Sequence, residues 1–115
     1  MAKTNILRIE EGTCVVLSLH NPREKVWGPL ADISPAGLQV RCIDLNTFDD
    51  WVRMVINQEY NIALTTAFFP MWRVEKMSLD ECVGEIPSLQ ELFRLRVGIT
   101  LKEYLGEDDS TSQPF

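Results

Sequence analysis

Asp32, Ser34 and Gly37 stand in the spacing Asp-x-Ser-x-x-Gly, between two segments of strand composition. A carboxylate and a hydroxyl two residues apart at a turn suit either of two tasks. They can contact a polar ligand such as a nucleotide, or they can cap the turn's own N–H groups while Gly37 supplies a positive φ. Arg8, Arg23, Lys25 and Arg41 are the candidate cations. They form either a local anion site or scattered solvated charges. Arg23, Asp32, Ser34 and Gly37 together make the candidate ligand-binding set.

Other reactive residue types fall into patterns with no chemistry. His20 sits at a strand end, where a turn-satisfied surface imidazole is the default, and no residues supply a nucleophile, base and oxyanion donor together. Asp49 and Asp50 are adjacent on a helix, so their carboxylates diverge, and their place at its start suits the positive end of the dipole. Cys14, Cys42 and Cys82 are odd in number, far apart and without a CxxC pair. With His20 as the lone histidine they complete no zinc site, and they read as structural thiols of a reducing compartment. No glycine-rich phosphate loop is present. No catalytic residue, metal or cofactor is assigned.

The elements that position these residues follow from periodicity. Thr13–His20 alternates Val15, Leu17 and Leu19 against Cys14, Val16, Ser18 and His20, a strand with one buried face. Asn21-Pro22-Arg23-Glu24 is a turn, and Lys25–Ile33 is a second strand interrupted by Gly28-Pro29, the composition of a bulge or sharp bend. Ser34–Gly37 turns the chain into a third strand carrying Leu38, Val40 and Cys42. Over 46–57 the period becomes helical, with Phe48, Trp51, Val52, Val55 and Ile56 on one stripe and Asn46 or Thr47 as cap. Leu64–Phe69 and Trp72–Leu79 return to strand composition, and Val83–Pro87 is a linker. Ser88-x-x-Glu91 is a capping box that opens a helix over 88–105, ending at Gly106.

The fold class expected is mainly β: a small five- or six-stranded antiparallel SH3-like barrel with an inserted helix and a C-terminal helix. Residues 1–12 form a lead-in, 13–79 the barrel domain with its helix at 46–57, 88–105 a helix packed on the barrel or a partner, and 107–115 a disordered acidic tail. Two families look like this. Asp32-Ile33-Ser34-Pro35-Ala36-Gly37, between Gly28-Pro29-Leu30-Ala31 and Leu38-Gln39-Val40, resembles the Asp-x-Ser-x-x-Gly motif of PilZ domains, which implies a cyclic di-GMP receptor. The Arg-x-x-x-Arg motif of that family is halved here, with Arg8 followed by Gly12 and Arg23 by Trp27. Val15-Val16-Leu17-Ser18-Leu19-His20-Asn21 with Gly28 and Leu30 is similar to the first motif of the Sm-like family, which implies a ring that binds RNA. Pro70-Met71 stands where the second motif of that family carries Arg-Gly. The segments 21–25 and 44–51 also resemble parts of small uncharacterised bacterial proteins.

Composition bounds the function. The 115-residue chain carries a formal charge of −6. Residues 1–78 hold eight Lys/Arg against nine Asp/Glu, and residues 79–115 hold three against eight. That balance opposes non-specific nucleic-acid binding, which depends on neutralising phosphates. No apolar run approaches the roughly 20 residues of a membrane helix, and residues 1–5 lack the apolar region of a signal peptide, so a cytoplasmic location is expected. Phe68 and Phe69 are neighbours in a strand and face opposite ways. Phe69, Met71 and Trp72 are the candidate interface residues, since an exposed apolar patch marks a contact surface. The reading is a non-catalytic interaction or adaptor module that self-associates or binds another protein. A PilZ-type cyclic dinucleotide receptor and an Sm-like RNA-binding ring are the alternatives.

Overall fold

Three core side chains on alternate positions, Val15, Leu17 and Leu19, are fully buried and fix the inner face of the first strand. In the computed structural model, which describes residues 9–59 and 62–111, this strand is β1 (Cys14–Leu19). It pairs antiparallel with β2 (Glu24–Ser34), which pairs with β3 (Gly37–Asp44). β4 (Thr65–Pro70) joins the outer edge of β3, and β5 (Val74–Leu79) joins β1. The sheet order is β4-β3-β2-β1-β5. The fold is therefore mainly β, with five antiparallel strands.

The bend expected at Gly28-Pro29 is present. A Cβ on Gly28 would lie 1.9 Å from the Arg41 carbonyl oxygen, so only glycine lets β2 fold this closely onto β3. Pro29 has no N–H to give the β3 ladder, and one residue further on the register slips between Leu30 and Asp32. All five strands contribute to one core. Val15, Leu17, Leu19, Val26, Leu30, Leu38, Val40, Cys42 and Phe69 are buried together, with Val74, Met77 and Leu79 of β5 packed against them. Since β4 and β5, the two ends of the sheet, share this core, the sheet curls; among the described residues no ladder joins β4 to β5.

The sheet belongs to one compact unit, formed by the described residues of Met1–Leu45 and of Leu64–Leu79. A second unit comprises those of Asn46–Ala63 and Asp80–Phe115. It holds α1 (Phe48–Asn57), α2 (Leu89–Val97) and α3 (Leu101–Thr111). Its core is aromatic: Trp51 stacks on Phe93 at 5.0 Å, and Tyr104 meets Trp51 edge-on at 6.1 Å. The α1 stripe is narrower than its periodicity suggests, because Ile56 is exposed. Thr47 occupies the N-cap of α1, after a short 3-10 turn (Leu45–Thr47), but its side chain makes no capping bond.

The single helix expected over 88–105 is corrected to two helices. Gly98 adopts φ +101° and its N–H bonds the Arg94 carbonyl, which closes α2 with a left-handed cap. Thr100 and Glu103 then open α3 with a reciprocal capping box. The Glu103 N–H donates to Thr100 Oγ1 at 3.0 Å, and the Thr100 N–H to Glu103 Oε1 at 2.9 Å. The Thr100 N–H and, at 3.1 Å, the Thr100 hydroxyl both donate to the Glu103 carboxylate and hold it below its usual pKa. Ser88 caps α2 as expected, accepting from the Glu91 N–H at 3.0 Å. The Glu91 carboxylate does not complete that box; it pairs with Arg94, which lowers its pKa. Asp80 stands in, accepting from the Leu89 and Gln90 N–H groups at 2.8 and 3.0 Å. α3 continues past Gly106 to Thr111, so the first residues of the expected disordered tail are helical, and 112–115 lie outside the described residues. Among the described residues no helix is long and apolar enough to cross a membrane.

Candidate functional site

The turn between β2 and β3 consumes its own polar groups. Ser34 Oγ accepts from the Ala36 N–H at 3.2 Å and lies 3.4 Å from the Gly37 carbonyl, to which it donates. Asp32 Oδ1 accepts from the Ile33 N–H at 2.9 Å. Gly37 does not supply a positive φ, contrary to the turn expectation. Its reason for being glycine is steric: a Cβ there would sit 2.3 Å from the Phe69 carbonyl oxygen and 2.7 Å from the Phe68 ring. The spacing Asp-x-Ser-x-x-Gly thus builds a tight turn under a close strand.

Arg23 lies elsewhere. It immediately precedes β2, whereas Asp32 and Ser34 sit at the far end of that eleven-residue strand. Arg23 lines a groove with Ser18, Lys25 and Lys76 whose lining includes none of Asp32, Ser34 and Gly37. The four candidate ligand residues therefore do not form one site along β2. Lys25 and Arg41 share a face by register, but on opposite sides of the Trp27–Ile43 pair. Arg8 lies outside the described residues.

The end of the sheet that holds Arg23 is organised by Arg73, a residue the sequence did not single out. Its Nε donates to the His20 carbonyl at 3.2 Å, and its Nη2 donates to the Pro22 carbonyl and to Glu24 Oε2, both at 2.8 Å. The His20 N–H returns a bond to the Arg73 carbonyl at 3.0 Å. One guanidinium thus pins the whole β1–β2 turn, whose Asn21 has φ +55° and whose Asn21–Pro22 peptide is cis. Beside it opens a groove of about 410 Å³ lined by Ser18, Arg23, Glu24, Lys25, Glu75 and Lys76 together with Leu19.

No family model, curated protein or solved structure matches the chain.

The third surface is apolar. Residues 71–73 form a 3-10 turn between β4 and β5, and here the candidate interface residues separate. Phe69 is buried in the sheet core at 8% exposure, which corrects its assignment to an interface. Its register partner is Leu38, an inward residue, so strand alternation sends Phe68 outward instead. Phe68 is 52% exposed and Trp72 63%, with Met71 between them at 39%. The Met71 N–H bonds the Ala36 carbonyl at 2.9 Å, and the Trp72 ring meets His20 edge-on at 6.5 Å. These anchors hold the exposed side chains on fixed backbone. Which phenylalanine faces out was not legible before the register of β4 was known.

The thiols also separate. Cys14 and Cys42 are buried, and burial, reinforced by the Glu24 carboxylate, pushes the Cys42 thiol up to about 11. Such a thiol is a hydrophobe and not a nucleophile. Cys82 is exposed, and its sulfur accepts from the Ser88 N–H at 3.4 Å.

Proposed function

We propose that the chain is a non-catalytic, cytoplasmic interaction module that self-associates through the β4 edge and the 3-10 turn that follows it. The observation that carries this reading is the exposure of Phe68, Met71 and Trp72 on one short segment at the end strand of a sheet. Large aromatics and methionine are the residue types enriched at protein contacts and depleted from ordinary surface. An end strand adds the backbone component, since its outer N–H and C=O groups can extend the ladder into a second copy. Two copies that pair β4 edge to edge bring both Phe68 side chains toward one seam.

Sedimentation velocity on wild type, Phe68→Ser and Trp72→Ser tests this. A concentration-dependent dimer or higher oligomer in the wild type, weakened in both variants with unchanged circular dichroism, supports the reading. A wild type that stays monomeric at high micromolar concentration removes self-association. An oligomer untouched by both substitutions removes this surface.

A further inference from the structure

Ser18 is the register partner of Lys25 on β2 and of Lys76 on β5. The three residues therefore form a row across adjacent strands, and directly paired residues share a face. Leu17 and Leu19 on either side of Ser18 point into the core, so the row faces outward. Two lysines thus flank one hydroxyl, their backbones about 9.5 Å apart across two strand spacings. Arg23, on the turn that Arg73 pins, lines the same groove.

Like charges this close repel, and the local carboxylates do not quench them. Glu24 is committed to Arg73 at 2.8 Å. Among the described residues, Arg23, Lys25 and Lys76 make no ion pair. Glu75, at the irregularity where β5 slips against β1, is the carboxylate that opposes them in the groove. In a chain of net charge −6, two lysines flanking a hydroxyl and an arginine lining the same groove outnumber Glu75 and make a local positive island.

We propose that this groove binds a diphosphate group. Its donors are of the kinds that coordinate phosphate oxygens: ammonium, guanidinium and hydroxyl. Charge matching selects the class: against Glu75 the three cations keep an excess of two charges, which a diphosphate neutralises and a carboxylate or other monoanion does not. The spacing agrees, since the two lysines reach the group from opposite sides and need not crowd onto one phosphorus. The groove shares no residue with the apolar surface of Phe68, Met71 and Trp72, so its failure leaves the self-association reading untouched.

The test is an NMR titration of the full chain with inorganic pyrophosphate at low ionic strength, alongside sulfate. Saturable shifts centred on the Ser18, Lys25 and Lys76 amides are expected, with sulfate much weaker. Lys25→Gln and Lys76→Gln should each weaken binding about fivefold, the effect of one charge lost at about 4 Å in a watery environment. Glu75→Gln should tighten it by a similar factor. No saturation at millimolar pyrophosphate, equal affinity for sulfate, or affinity unchanged in both lysine variants would each overturn the proposal.

Discussion

Replacing Gly28 with alanine tests the bend that curls the sheet. The added Cβ would lie 1.9 Å from the Arg41 carbonyl oxygen and 2.8 Å from both the Arg41 carbonyl carbon and Cys42 Cα. All three are backbone atoms, so no rotamer change relieves the contact. Reaching even 3.0 Å requires β2 and β3 to separate by about 1 Å at this point. The flanking pairs Trp27–Ile43 and Leu30–Val40 then lose ladder geometry. Two or three weakened backbone bonds cost about 1 kcal/mol each, and overpacking adds about 1–3 kcal/mol. The expected loss is about 3–6 kcal/mol, a large share of the roughly 5–15 kcal/mol that holds a domain of this size together. Urea unfolding followed by circular dichroism measures it, with a fall in Tm of about 15 °C or more as the thermal counterpart. Gly106→Ala is the control, because nothing lies within 4 Å of its Cβ, and in a helix that change is neutral or stabilising by up to about 1 kcal/mol. A Gly28→Ala protein within about 1 kcal/mol of wild type would show that close approach is not why glycine stands there.

Arg73→Met should destabilise by about 2 kcal/mol, since it strips the β1–β2 turn of three bonds from one guanidinium. Arg73→Lys should recover only part of that loss in the same unfolding assay, because a lysine cannot fork. Phe69→Ala should cost about 3–4 kcal/mol as a core truncation, whereas Phe68→Ala should stay within about 0.5 kcal/mol of wild type in dilute solution. The Cys42 thiol is raised from 9.0 to about 11 in the fold, so the folded state holds that proton more tightly than the unfolded chain. The resulting contribution, about 2–3 kcal/mol, is complete below pH 9 and is lost as pH rises through 11. Cys42→Val should flatten the fall in stability across that window, and an identical slope in both proteins would refute the assignment.

The strands and the inserted helix were legible because their periods differ. Val15, Leu17 and Leu19 alternate, while Phe48, Trp51 and Val52 repeat at helical spacing. The bend at Gly28-Pro29 was equally legible, since few residues permit it. The interval after Ser88 reads as one helix because Leu89, Phe93, Leu101 and Tyr104 keep a helical period through the break. A hydrophobic stripe reports which residues face a core, and it continues whether or not the backbone does. Gly98 and the Thr100-Leu101-Lys102-Glu103 box carried the contrary signal locally. The candidate site was less legible, for a geometric reason. Ser18, Lys25 and Lys76 become neighbours only through two strand registers, and Arg73 reaches the β1–β2 turn across more than fifty residues of chain. The Asp-x-Ser-x-x-Gly turn was recognisable, yet its spacing is also what a satisfied hairpin turn requires.

The strand order has a consequence during synthesis. β1 lies inside the sheet, but one of its neighbours, β5, is the last strand to be made. After β3 leaves the ribosome, about 35 further residues must follow before β5 is complete, or roughly 2–7 s at 5–20 residues per second. Throughout that interval the Val- and Leu-rich β1 presents an open edge, the kind that templates aggregation. β5 brings Glu75 and Lys76 to the position it then occupies, so the finished sheet replaces an apolar edge with a charged one. Nascent chains stalled before Leu79 should for that reason depend on chaperones far more than the completed protein does.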